Sequence, residues 1–141
     1  MQLLKKENGI TLLRFDRGEP FPQALKDYCV RSGLESGVVL CGIGMLSDTT
    51  IGRYDGTEYA KTVLADSLEV LSLQGNISMK QGEPFIHLHV SLAEHDFTAR
   101  GGHLFEATVS MVIELAIAEL TPGLVRQPMG GAFWRLEPAK T

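Results

Sequence analysis

The sequence predicts an α+β fold: a single domain, mostly antiparallel β-sheet, with one long helix. Three observations carry this. From Gly37 onward, runs rich in Val, Ile, Leu and Thr alternate with short Gly-, Asn- and Asp-containing turn signals. Near the N-terminus, Phe21, Leu25, Tyr28 and Cys29 recur at a helical period. The chain has 141 residues, enough for one domain with a real core and too few for two comfortable ones.

Taken in order, Ile10–Phe15 (ITLLRF) is a β-rich run bounded by Asn8-Gly9 and by Asp16-Arg17-Gly18, and reads as the first strand. Pro20 and Pro22 open the helix, since proline is tolerated in a first turn, and Gly33 ends it. Gly37–Ser47 (GVVLCGIGMLS) is apolar on both faces and reads as a buried strand. Its Gly42-x-Gly44 is not followed by a helix pattern, which argues against a dinucleotide loop and for a bulge or close backbone packing. Thr49–Tyr54 continues as a strand after a turn at Ser47-Asp48, and residues 58–64 are ambiguous. Ser67–Met79 alternates, with Leu68, Val70 and Ser72 on one face and Glu69, Leu71 and Leu73 on the other, and reads as a strand with a bend at Gly75-Asn76. Lys80–Glu83 is a turn into a strand that begins at Pro84. Leu104–Ala107 is expected to make one helical turn. In Thr108–Leu120 propensity allows a helix, but Thr108-Val109, Val112-Ile113 and the need of the preceding strand for a partner favour a strand. A last short strand is expected at residues 132–136, carrying the single Trp134.

Composition removes several function classes. The hydrophobic fraction of 44% and charged fraction of 21% are those of an ordinary globular protein. A net charge of −4 without a basic stripe gives no electrostatic footprint for nucleic acid, whose affinity rests on phosphate neutralisation. Cys29 and Cys41 lack zinc spacing and read as small buried hydrophobes. No run approaches a membrane span, and MQLLKKENG lacks the apolar core of a signal peptide. The expected location is cytoplasmic.

Chemistry concentrates in Pro84–Leu104, which holds all four histidines of the chain. His87 and His89 are two apart, so a strand points both to one face. If the chain folds back near His95-Asp96, residues whose numbers sum to about 192 face each other, and His89 meets His103. Three imidazoles then converge as in a zinc site with three protein ligands and an open fourth position. The competing reading is a polar strand face at a subunit interface, with His103 capping a turn. Gly101-Gly102 supports either a positive-φ turn or a close backbone approach that delivers His103. Glu106 follows His103 by three; on a helical turn it would lie beside the metal as general base, fourth ligand or acceptor for an imidazole N–H, or else be merely solvated. Glu83 is a lesser candidate of the same kind. Ser91 and Asp96 form no convincing nucleophile triad. Arg53, Arg100 and Arg126 read as surface residues, the alternative being that one of them meets an anionic ligand near the metal. Tyr54, Tyr59 and Trp134 lack the spacing of a stacking platform.

Three blocks, VVLCGIGMLSDTTIGRYD, LEVLSLQGNIS and PFIHLHVSLAEHDFTARGGHLFEATV, resemble the PPC domain family (DUF296) of plants and prokaryotes. The resemblance covers about residues 10–136 of a domain spanning residues 1–141. It implies a small α+β domain that assembles as a homotrimer, to which apolar strand residues such as Val112 and Ile113 contribute. Apolar surface in Gly37–Met45 and Val109–Leu120 exceeds what one helix covers. Plant members carry an AT-hook and bind DNA in the nucleus, and stand-alone prokaryotic members are called DNA-binding by that analogy. This chain has no Arg-Gly-Arg-Pro core, so tight DNA binding is not expected. It shares HxH and GGH with prokaryotic members, which implies Zn²⁺ at His87, His89 and His103; His95 falls where the family carries other polar residues and is left out. The function expected is a small oligomeric metal protein that binds or hydrolyses a small, anionic ligand. The alternative is a regulatory or scaffold module whose metal is structural.

Overall fold

A computed structural model describes residues 1–130 and 133–140. Among the described residues ten strands form one sheet, and one helix covers part of it. The strands are β1 (Gln2–Glu7), β2 (Ile10–Asp16), β3 (Pro20–Phe21), β4 (Gly37–Tyr54), β5 (Tyr59–Leu64), β6 (Leu68–Lys80), β7 (Glu83–Ala93), β8 (Ala99–Glu119), β9 (Leu124–Gly130) and β10 (Phe133–Pro138). The helix α1 spans Gln23–Ser32. The main path runs β1-β2-β8-β4-β6-β9-β10, antiparallel except where β6 meets β9 at Met79 and Val125. β7 pairs with both β6 and β8, so β4, β6, β7 and β8 close into a ring.

The ring encloses the core. Leu73, Ile77, Leu88, Leu92, Val109 and Leu115 are fully or almost fully withdrawn from water, and Leu13 and Phe15 of β2 extend the same layer. α1 lays Ala24, Leu25, Tyr28 and Cys29 onto it and stops at Gly33, whose positive φ of 70° lets Leu34 N–H reach Cys29 carbonyl at 3.0 Å. Ten residues make three turns, so the helix is shorter than the sequence suggests. Phe21 belongs to β3 and meets Phe15 edge-on at 5.3 Å instead of starting the helix.

Other expectations are corrected. The two strands predicted on either side of Ser47-Asp48 are one 18-residue strand, because Asp48 takes a left-handed φ of 50° inside a bulge that keeps the ladder running. At Gly44 a Cβ would lie 1.8 Å from Val112 carbonyl oxygen, so the Gly-x-Gly is close packing at a bulge. Residues 104–107 do not turn; they lie within the 21-residue β8, since Leu104 and Ala107 are drawn to the core by pairing with β4 and β3. The strand reading of residues 108–120 holds. β1 was not foreseen: its residues are all exposed, so it has no burial pattern, and its edge ladder with β2 carries Lys5 and Lys6. β9 was also missed, and of the last predicted strand, residue 132 lies outside the described residues together with residue 131. Cys29 is buried, but Cys41 is exposed. Among the described residues no helix is long and apolar enough to cross a membrane.

Candidate metal centre

The β7–β8 hairpin follows the expected register. His89 pairs with His103, Val90 with Gly102 and Ser91 with Gly101. The tip is closed by Asp96, whose Oδ1 accepts from Thr98 N–H and hydroxyl, while Phe97 takes the positive φ. Gly101 and Gly102 have no positive φ. Their role is close approach: a Cβ on Gly101 would sit 2.3 Å from Val90 carbonyl oxygen, and one on Gly102 2.6 Å from Gly52 carbonyl oxygen. The missing side chains let β8 nest between β7 and β4, which sets His103 against the other two histidines.

The three rings form a compact group on the outer face of the strand ring. Ring centroids are 5.3 Å apart for His87–His89, 5.0 Å for His87–His103 and 5.6 Å for His89–His103. One nitrogen from each lies within 4.8 Å of the others. In a tetrahedral zinc site with Zn–N near 2.0–2.1 Å the nitrogens are about 3.3 Å apart, a contraction that small side-chain rotations supply. His89 is exposed and the other two are half-buried, so the group opens to solvent on one side.

The electrostatics favour neutral imidazoles at His87 and His103. Burial is the main cause that lowers the His103 pKa, to about 4, with His87, His89 and Lys61 adding to it. His87 is lowered by burial first, then by Arg126 and His89. Among the described residues, His103 Nδ1 is buried without a hydrogen-bond partner. A buried polar nitrogen left alone costs free energy, and a metal ion or ligand is what removes that cost. The donor set and the orphaned nitrogen therefore fit a divalent cation.

Around the histidines stand aromatic rings and cations. Phe105 lies 4.6 Å and Tyr59 5.2 Å from the His103 ring, and Phe85 lies 6.5 Å from that of His87. Lys61 Nζ is 3.8 Å over the Phe105 ring, Lys80 covers Phe85 and Trp134 at 4.9 and 4.4 Å, and the Arg126 guanidinium is 5.4 Å from the Phe85 centroid. Arg126, on β9, donates to Asn76 Oδ1 at 2.7 Å, to Ser78 Oγ and Trp134 carbonyl at 3.3 Å, and to His87 Nδ1 at 3.2 Å. The surface reading of Arg126 is thus corrected, whereas Arg100 pairs with Glu94 and Arg53 is exposed. A net charge of −4 conceals this local cationic frame.

The other candidates fall elsewhere. His95 is exposed and 3.3 Å from Asp66. Glu83 is held by Lys26 at 2.9 Å. Glu106 is outside the group of converging ligand atoms. Without the helical turn it sits in a β-bulge, accepts from Thr50 hydroxyl at 3.3 Å, and lines a neighbouring cleft of about 620 Å³ with Phe21, Lys26, Phe85 and Phe105. Phe105 borders both, packing on His103 and lining that cleft. Phe85 and Phe105 had a signal in the sequence, Phe-x-His-x-His and His-x-Phe, because strand alternation puts them on the histidine face. Lys61 and Lys80 had none, and Arg126 was only one of three arginines given the alternative of meeting a ligand there, as strand pairing alone brings them in.

Fold and site together define a small strand-rich domain with a three-imidazole group on the outside of a closed ring of strands. The model of the Plants and Prokaryotes Conserved (PCC) domain matches residues 5–121, and the chain belongs to that family. A plant- and prokaryote-conserved (PPC) protein from Pyrococcus horikoshii is 33% identical, with 94% of this chain and 93% of that one covered at a TM-score of 0.83. A protein from Archaeoglobus fulgidus described as metal-containing is 32% identical, with 89% and 90% covered at a TM-score of 0.77. The bifunctional protein GlmU of a Synechococcus strain is 33% identical over 92 residues, which are 65% of this chain but 14% of that much longer protein.

Proposed function

We propose that the protein binds one divalent metal ion, Zn²⁺, through His87, His89 and His103, leaving a coordination position open to a small ligand. The observation that carries this is the convergence of three imidazole nitrogens within 4.8 Å, one ring having an orphaned buried nitrogen. The metal-containing relative from Archaeoglobus fulgidus supports it. Bound to three neutral imidazoles, such an ion keeps its full +2 charge and supplies Lewis acidity, drawing the pKa of a bound water toward neutrality. The chain's own part is to keep His87 and His103 neutral by burial and to orient the site, the rings of Phe105 and Tyr59 packing against His103. Glu106 is proposed as a base only for a ligand that extends past Phe105 into the adjacent cleft, and not as a fourth metal ligand.

Elemental analysis of protein purified without a histidine tag should find one divalent ion per chain. His87→Ala and His103→Ala should each strip it, and Glu106→Gln should retain it. Wild-type metal content in both histidine variants refutes the assignment. A metal that retains no exchangeable ligand would instead favour the second reading, a structural metal in a regulatory or scaffold module, since four protein ligands close a zinc site.

A further inference from the structure

Arg126 and a metal ion want the same electron pair. A neutral imidazole has one nitrogen that accepts and one that donates. In this structure the accepting nitrogen of His87 is Nδ1, and the Arg126 guanidinium already occupies it at 3.2 Å. If His87 ligates through Nδ1, the Arg126 N–H is displaced. If it ligates through Nε2, the proton moves to Nδ1 and two N–H groups face each other. In either case metal binding leaves a guanidinium N–H without its acceptor, beside a new positive charge.

Arg126 cannot simply swing away. Asn76 Oδ1, Ser78 Oγ and the Trp134 carbonyl hold it from three directions. On the opposite side Lys61 is fixed over Phe105, the ring that packs on His103. Among the described residues neither cation is ion-paired with a carboxylate. Two uncompensated cations therefore flank a site proposed to hold a third. What is missing on the open side is an acceptor with negative charge.

We infer that Arg126 and Lys61 form an oxyanion-binding frame around the three histidines, so that metal and a phosphate-type anion bind cooperatively. The anion takes the position left open by His87, His89 and His103 and accepts the N–H that Arg126 loses from His87. The frame recognises a phosphate monoester or free phosphate, tetrahedral anions with enough oxygens to meet metal, guanidinium and ammonium at once. The exposed side of His89 and the aromatic walls of Phe85 and Phe105 leave room for the organic part of a monoester. This rests on the proposed metal site, and the two are separated by experiment.

Metal affinity is measured on the full chain by chelator competition with Zn²⁺ and, for the geometry, by the visible spectrum of the Co²⁺-loaded protein. Each is recorded with and without millimolar inorganic phosphate, correcting for phosphate's own affinity for the metal. Phosphate should tighten metal binding by about tenfold, within the range in which linked sites ordinarily couple, and metal should tighten phosphate by the same factor. Arg126→Met should abolish that coupling and strengthen phosphate-free metal binding. Lys61→Met leaves the contacts of Arg126 intact and should weaken the coupling, which guards against a folding defect in the first variant. A phenyl phosphate that couples more strongly than inorganic phosphate points to a monoester; equal coupling points to the free anion. If one metal binds per chain and phosphate changes neither affinity nor spectrum, or if both variants couple as the wild type does, the oxyanion frame is wrong and the metal site stands. If no metal binds, both fall.

Discussion

Replacing Gly102 by alanine tests whether close strand approach, and not turn geometry, delivers His103. The new Cβ would lie 2.6 Å from Gly52 carbonyl oxygen, about 0.8 Å short of the 3.4 Å at which ordinary contact begins. The obstacle is backbone on the neighbouring strand, so no side chain can turn aside. It sits where Gly52 pairs with His103, and β4 must part from β8 there. Overpacking of this kind costs about 1–3 kcal/mol. Alanine also restricts the unfolded chain, and since Gly102 has an ordinary φ that effect opposes the clash by about 0.4–1 kcal/mol. The clash wins, and for a chain of this length the thermal midpoint should fall by roughly 2–8 °C. The same displacement moves His103, so metal affinity should drop by about tenfold, as when a ligand's support is disturbed. Thermal unfolding followed by circular dichroism gives the first number and chelator competition the second. His95→Ala, at an exposed site, should leave both unchanged. A Gly102→Ala protein with the wild-type midpoint and wild-type metal affinity refutes the reasoning.

The two thiols should differ sharply toward a water-soluble thiol reagent. Cys41 is exposed in the single chain and should react well before Cys29, whose thiol burial pushes up to about 12 and should leave inert until the protein is unfolded. Two fast equivalents in the native protein would contradict the buried packing of α1. Assembly as a homotrimer remains a proposal, and the structure changes where to look for its interface. Ile113 is fully buried within the chain, while Leu40, Ile43 and Met111 are 47%, 58% and 57% exposed. Light scattering should report a trimer mass at micromolar concentration, and Ile43→Asp should lower it; a monomeric wild type sinks the proposal.

The sequence by itself determined the hairpin and the metal-ligand candidates. Both follow from local rules: strand alternation puts His87 and His89 on one face, and a tight turn at His95-Asp96 fixes which residue opposes His89. The strand over residues 67–79 and the helix stop at Gly33 were legible for the same reason, but the strand's facing was not: a bulge between Val70 and Ser72 turns Leu73, expected opposite Leu68 and Val70, to the core with them. Only the tertiary structure decided the rest, because it depends on partners distant along the chain. β1 has no buried residue and exists through its ladder with β2. Residues 104–107 have a helix-compatible composition and are strand because β4 and β3 supply hydrogen bonds on either side of β8. That strand, in turn, removes Glu106 from the three-histidine group and brings Phe105 to it. Arg126 reaches His87 across 39 residues of sequence, through the placement of β9 beside β6. Charge summed over the chain is acidic, but pairing of β5, β6 and β9 around one strand face gathers Lys61, Lys80 and Arg126 into a cationic frame. Composition averages over the surface, whereas a ligand meets only the few residues that folding has placed side by side.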